Sequence, residues 1–206
     1  MTNRLVPEVQ AFVEGLELST IPQERKQILS KLAAFVQIKV DSKEKVNLNF
    51  ICTHNSRRSQ LSQLWAQVAA YYFGVENISA FSGGTEATAF HPNAVHALAH
   101  SGFSISKEDK ATNPVYHVHY APEADPLRCF SKVYNDPFNA APFVAVMTCS
   151  DAETHCPFIR EAEAKFSLKY EDPKKSDGTP LQEEVYAERS RQIASEMMFL
   201  FSQIKN

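Results

Sequence analysis

Cys52-Thr53-His54-Asn55-Ser56-Arg57-Arg58-Ser59 follows directly on the apolar run Val46-Asn47-Leu48-Asn49-Phe50-Ile51 and precedes a patterned segment over 60–73. Strand, short polar loop and helix together let successive backbone N–H groups point into one hollow and bind a tetrahedral oxyanion. A cysteine at the lip of that hollow feels the positive end of the helix and an arginine, and both favour thiolate over thiol. The loop therefore reads as a nucleophile aimed at a phosphate-like anion. Cys52 would attack the central atom of that anion. Arg58 would bring back a planar fork that grips two oxygens and stabilises transition-state charge. Ser59 is placed to donate its hydroxyl to the Cys52 sulfur, and Asn55, which tolerates left-handed backbone, would brace the loop. Thr53, His54, Ser56 and Arg57 complete the expected oxyanion-binding loop. The competing reading is a buried structural cysteine ahead of a helix that happens to begin with arginines. A bare cysteine-to-arginine spacing is a weak signal, and the strand before and helix after give it weight.

Outward from the loop the chain alternates strand and helix. The helix after the loop stops at Gly74, a natural C-cap, and a second strand covers 77–82. Pro92 opens a helix through His100 that closes at Gly102. The very apolar stretch 143–148 suits a strand buried on both faces of a parallel sheet, 166–170 reads as the last strand, and 180–204 as a long closing helix. This predicts an α/β fold: a three-layer sandwich around a central parallel four-stranded sheet, with ligands at the carboxyl ends of the strands. Cys52 and Cys149 each fall just beyond such an end.

Residues 1–45 read as an N-terminal helical extension to a catalytic domain over 46–206. One helix is expected over 6–16, and a second is capped by Thr20-Ile21-Pro22-Gln23 and ends near Ile38, ahead of a charged connector over 39–45. The extension carries no chemistry and is expected to pack on the main domain or on a sister subunit of a homo-oligomer. Regularity lapses over about 107–141, where 115–120 and 127–134 alternate like strands and Pro122 to Pro126 could turn one back on the other. An inserted β-hairpin is predicted there.

The chain of 206 residues, 44% hydrophobic and 22% charged, is ordinary for a globular protein of one domain with an appendage. A net charge of -3 argues against a nucleic-acid partner. No apolar run is long enough to span a membrane and the N-terminus lacks a signal-peptide core, so a cytoplasmic location is expected. In that setting the four cysteines read as working thiols rather than a disulfide scaffold. His117 and His119 share a strand face without a third ligand, and no metal site is expected. Cys129, on the expected hairpin, reads as packing.

The loop Cys52 to Ser59 resembles the active-site loop of the low-molecular-weight protein tyrosine phosphatases and of the arsenate reductases that share their fold. Ser82-Gly83-Gly84-Thr85-Glu86-Ala87 and Pro92-Asn93-Ala94-Val95 resemble the segment after the second strand in the reductases. The resemblance covers most of 46–206 outside the hairpin. Met147-Thr148-Cys149-Ser150-Asp151-Ala152-Glu153-Thr154-His155-Cys156-Pro157 is similar to the redox segment of the thioredoxin-coupled arsenate reductases. Read from the residues alone, that stretch is also open to inert core cysteines or a zinc site, although the usual two-to-four-residue ligand spacing is missing.

The resemblance implies that Cys52 attacks arsenate, that Cys149 attacks the Cys52 sulfur and releases arsenite, and that Cys156 then takes over. The resulting Cys149–Cys156 disulfide would be reduced by thioredoxin, an external reductant, with no bound cofactor. Asp172-Pro173 matches the family's general-acid pair, although Asp-Pro is otherwise commonly a turn; Glu171 is the reserve candidate. Three departures stand out. Arg57 replaces a cysteine often found within the loop, His54 replaces a glycine, and Lys174 and Lys175 replace the aromatics that flank a phosphotyrosine ring in the phosphatases. The first expectation is thus an arsenate reductase acting on a small oxyanion. The second is a phosphatase hydrolysing phosphotyrosine or another phosphomonoester through a phosphocysteine intermediate. The third is a non-catalytic oxyanion-binding or redox-sensing module.

Overall fold

Strand β1, Val46–Cys52, is buried along almost its whole length because it has a strand on either side and a packed layer on either face. It runs parallel to β2, Ile78–Gly84, in register from Val46 opposite Ile78 to Cys52 opposite Gly84. On its other side lies β6, Phe143–Met147, also parallel. Strand β7, Ala162–Ser167, closes the far edge, giving the order β2-β1-β6-β7. The expected four-stranded parallel sheet is therefore present. The computed structural model describes residues 4–108, 111–155 and 158–205.

Alternation along the strands divides the core. Leu48, Phe50, Val144 and Val146 join the larger cluster, with α3 (Arg58–Tyr72), α6 (Gln182–Ser202) and α2 (Gln23–Asp41) packed over it. Ile51, Cys52, Phe143, Ala145, Met147 and Cys149 join a smaller cluster with Ala152 of α5, Ser150–His155. Helix α4, Pro92–His100, packs against α6 and ends before Gly102, whose φ of 97° only glycine adopts without strain. Helix α1, Pro7–Glu14, stacks Phe12 on Trp65 at 5.1 Å between ring centres. From α2, Arg25 reaches Glu196 through two bonds of 2.9 and 2.6 Å and the Lys169 carbonyl at 2.8 Å. The N-terminal helices thus share the main core.

Several sequence expectations shift. Thr20 does not cap α2. It lies in a 3₁₀ turn, Leu18–Thr20, and donates to the Glu17 carbonyl, while α2 starts after Pro22 and extends to Asp41. The last strand is Ala162–Ser167 rather than 166–170. As an edge strand it alternates exposed and half-buried residues, which hides it from an apolar search. The more apolar Leu168 and Tyr170 are buried in the exit from the sheet. The expected hairpin is present and is widened by a third strand into a three-stranded antiparallel sheet. Tyr116–His119 (β4) pairs with Leu127–Cys129 (β5) as expected, and Ser104–Lys107 (β3) adds a third strand too polar to stand out. Cys129 is fully buried there, and desolvation pushes its thiol up to about 12.

After β5 the chain runs back to the end of β2, where Val133 bridges Gly84, through Lys132, which is only 2% exposed. Its ammonium lies 4.6 Å from the Phe130 ring centre and 5.3 Å from that of Phe138. Burial nevertheless pushes the amine down to about 8 from 10.5. Between those values the unfolded chain holds more protons than the folded one, so this residue's contribution to stability improves as pH rises from about 8 to 10.5. Lys132→Met keeps the apolar stem and removes the buried charge. It is expected to raise the unfolding free energy at pH 7 by about 3 kcal/mol. Urea unfolding should show that advantage over the wild type shrinking as pH rises through the same interval.

Candidate active site

Strand β1 delivers Cys52 to the carboxyl edge of the sheet, and α3 begins at Arg58, so 53–57 must turn sharply between them. Asn55 makes the turn in the left-handed region, at φ 47°, which asparagine tolerates better than most residues. The carbonyls of the loop all face outward and are taken. Thr85 N–H donates to Cys52 O at 3.1 Å and Glu86 N–H to Thr53 O at 3.0 Å. Thr88 and Ser131 hydroxyls donate to His54 O at 3.1 and 2.9 Å. Gln60 donates to Asn55 O at 3.2 Å, and His91 N–H to Ser56 O at 2.9 Å. The amides of Thr53 to Arg57 have no protein acceptor among the described residues. A peptide plane with its C=O turned out turns its N–H in, so the loop is a donor-lined hollow at a helix N-terminus.

The surroundings of the Cys52 sulfur follow from one amide. Asn55 Oδ1 accepts from the Lys132 N–H at 2.9 Å and from Gln60 Nε2 at 3.2 Å, which fixes the orientation of the group. Its Nδ2 then donates to Ser59 Oγ at 2.9 Å. With that oxygen already accepting, the Ser59 hydroxyl proton is free to point at Cys52 Sγ, 3.0 Å away. Cys52 is 3% exposed. The structure thus brings Asn55 and Ser59 together around the Cys52 sulfur.

Arg58 is mostly buried and reaches Asp172 Oδ2 at 2.7 Å and the Tyr170 carbonyl at 3.2 Å. Asp172 caps the short turn Pro173–Ser176 by accepting from Lys174 N–H at 3.0 Å. Arg57 points elsewhere, to the Tyr186 hydroxyl at 2.6 Å and Asp177 Oδ2 at 2.9 Å. The Asp177 carboxyl is pushed up by burial, but hydrogen bonding from Tyr186 and the charge of Arg57 outweigh that and hold it below its ordinary value. His54 pairs with Glu86 at 2.9 Å on the rim, and Ser56 donates to Ala89 O at 2.6 Å. A cleft of about 500 Å³ opens beside the loop, lined by His54, Ser56, Arg57, Thr88, His91 and Lys174 among others.

Cys149 is 1% exposed, with its sulfur 3.5 Å from Thr53 Oγ1 and accepting from Ala152 N–H at 3.4 Å. It lies in the same small cluster as Cys52. Cys156, the third expected thiol, lies outside the described residues, and Glu171 is exposed. Among the described residues no group of three or more His, Cys, Asp or Glu is arranged to hold a metal.

The sequence reading missed Gln60, Ser131 and Lys132, which hold the loop from beneath, and Tyr186 and Asp177, which anchor Arg57. It also gave Gly84 no task. A Cβ there would lie 2.3 Å from Glu86 O, 2.6 Å from Thr53 O and 2.8 Å from Asn55 N, all backbone atoms. The paired glycines at the end of β2 were the visible signal. Gly84→Ala should fold yet lose the hollow. Phosphate should no longer slow alkylation of Cys52 by iodoacetamide, a protection expected in the wild type, and catalytic turnover should fall by about 100-fold or more.

No family model matches the chain. It is 26% identical over 159 residues to an arsenate reductase of Bacillus licheniformis, covering 77% of this chain and 96% of that protein. It is 29% identical over 142 residues to an arsenate reductase of Bacillus subtilis, covering 69% and 84%. The fold is similar to that of a low-molecular-weight phosphotyrosine phosphatase from Vibrio cholerae O395, with a TM-score of 0.51 and 13% identity over 77% of this chain and 95% of the other. The chain thus has the low-molecular-weight protein tyrosine phosphatase fold and stands, within that fold family, close to the arsenate reductases.

Proposed function

We propose that the protein reduces arsenate through a thiol relay that starts at Cys52. The observation that carries this reading is the second buried thiol, Cys149, at the wall of the loop against Thr53. A phosphatase has no use for a sulfur there, whereas reduction needs two electrons from a nearby thiol pair. Arsenate would sit in the amide-lined hollow, with Arg58 turning its fork onto the oxygens. The buried Arg58 Nε, which has no described partner, adds one more donor for that guest.

Cys52 Sγ attacks arsenic and an S–As bond forms, while Asp172 protonates the departing oxygen, which leaves as water. Cys149 Sγ then attacks Cys52 Sγ. A disulfide forms, the S–As bond breaks with its electron pair moving to arsenic, and arsenic falls from the pentavalent to the trivalent state as arsenite. Cys156 next attacks Cys149, releasing the Cys52 thiolate and leaving a Cys149–Cys156 disulfide. An external dithiol protein, thioredoxin by the family resemblance, takes that disulfide back to thiols.

A second reading has one observation in its favour. The cleft of about 500 Å³ beside the loop is larger than a bare oxyanion needs and could seat the leaving group of a phosphomonoester. Hydrolysis would use Cys52, Arg58 and Asp172 alone, through a phosphocysteine intermediate. Cys149→Ser separates the two. It is expected to abolish thioredoxin-dependent arsenate turnover, followed as NADPH consumption in the coupled assay, and to leave hydrolysis of an aryl phosphate within about threefold of wild type. Phosphomonoester hydrolysis by the wild type with no arsenate turnover would favour the second reading. If neither reaction occurs, the non-catalytic oxyanion or redox-sensing module remains.

A further inference from the structure

Arg57 and Arg58 are neighbours in the loop, and each holds one carboxylate at opposite ends of a single turn. Arg58 takes Asp172 at 2.7 Å, and Arg57 takes Asp177 at 2.9 Å. Between them lies the 3₁₀ turn Pro173–Ser176, tied by Ser176 Oγ to Pro173 O at 2.8 Å and Asp177 N–H to Lys174 O at 3.0 Å. A turn so tied moves as a unit, so fixing Asp177 fixes Asp172.

Asp177 is held from three directions. Besides Arg57, the Tyr186 hydroxyl of α6 donates to it at 2.7 Å, and Asn93 at the start of α4 donates at 3.2 Å. His91 Nε2 stands 3.8 Å away. Arg57 also donates to Tyr186 at 2.6 Å, which closes the ring of contacts. The Arg58 contact to Asp172 cannot serve as the turn's only anchor, because the same guanidinium must turn to a bound oxyanion. The Arg57 contact is free of that conflict.

We infer that Asp177 is a positioning residue. Gripped by Arg57 and Tyr186, it keeps the Asp172 carboxyl over the nucleophile loop when Arg58 engages substrate. The inference rests on the proposed roles of Cys52 as nucleophile and Asp172 as proton donor. It also gives Arg57, where related loops often carry a cysteine, a task of its own.

The test uses two aryl phosphates, phenyl phosphate with a poor leaving group and p-nitrophenyl phosphate with a good one. A poor leaving group needs the proton more, so a misplaced acid penalises it selectively. Asp177→Asn is expected to lower kcat for phenyl phosphate by about tenfold or more and for p-nitrophenyl phosphate by less than about threefold. Arg57→Ala should behave alike. In Asp172→Asn, adding Asp177→Asn should cost little further, since the group being positioned is already gone. Equal losses on both substrates, or additive losses in the double variant, would overturn the inference. If the wild type turns over neither phosphate ester and reduces no arsenate, the nucleophile reading fails separately. Amide hydrogen exchange still decides on the clamp: Asp177→Asn must speed exchange across 170–178 while leaving β1 and β6 protected. Unchanged exchange there would sink it.

Discussion

Every carbonyl from Cys52 to Ser56 meets a donor from outside the loop, and this outward satisfaction is what turns the loop's amides into a common hollow. Gln60 of α3 supplies one donor, and the others come from segments far apart in sequence: Thr85 to His91 after β2, and Ser131 after the inserted sheet. Each bond is worth roughly 1 kcal/mol net. Their joint effect is larger in shape than in energy, because a peptide unit fixed by its oxygen has no freedom left for its hydrogen. The proposed oxyanion site would thus be built by the scaffold before any anion arrives, which is the condition for electrostatic stabilisation without reorganisation.

The same logic explains what the sequence disclosed and what it withheld. The β1–loop–α3 unit was legible because its parts are contiguous: an apolar run, a polar octet and a helical pattern. The neighbourhood of Asn55, Ser59 and Cys52 could be expected from spacing alone. Gln60 could not, since a glutamine at the third position of a helix looks like a surface residue until the Phe130 carbonyl arrives at 2.9 Å. Asp177 was hidden for a similar reason. In sequence it is one of three acidic residues around a lysine pair, and only the chain's return through Tyr186 and Asn93 gives it partners. Strand β7 was misplaced because an edge strand need bury only part of itself, and β3 because Ser-Ile-Ser-Lys carries almost no apolar signal.

The N-terminal helices read as inert in the sequence. Yet Arg25 of α2 bonds Glu196 and the Lys169 carbonyl, Tyr170 donates to Glu196 at 2.8 Å, and the Tyr170 carbonyl receives Arg58. A side chain in the first forty residues is thus three contacts from the arginine of the loop. Burial raises the Tyr170 hydroxyl well above its ordinary value, and the charge of Glu196 adds to that, so the phenol stays a donor across the neutral range. The stretch from Lys169 to Asp177 is held at one end by this network and at the other by Arg57.

Cys129 sits in the inserted sheet with no exposed surface and a thiol that resists ionisation. For a protein whose chemistry is proposed to run by sulfur exchange, an extra free thiol is a hazard, since exchange accepts any accessible thiolate. Walling this one off behind β4 and keeping it protonated withdraws it from that traffic. Mixed disulfides that would trap the chain in a dead-end pairing lose their most available wrong partner, and fidelity of sulfur pairing follows from burial alone.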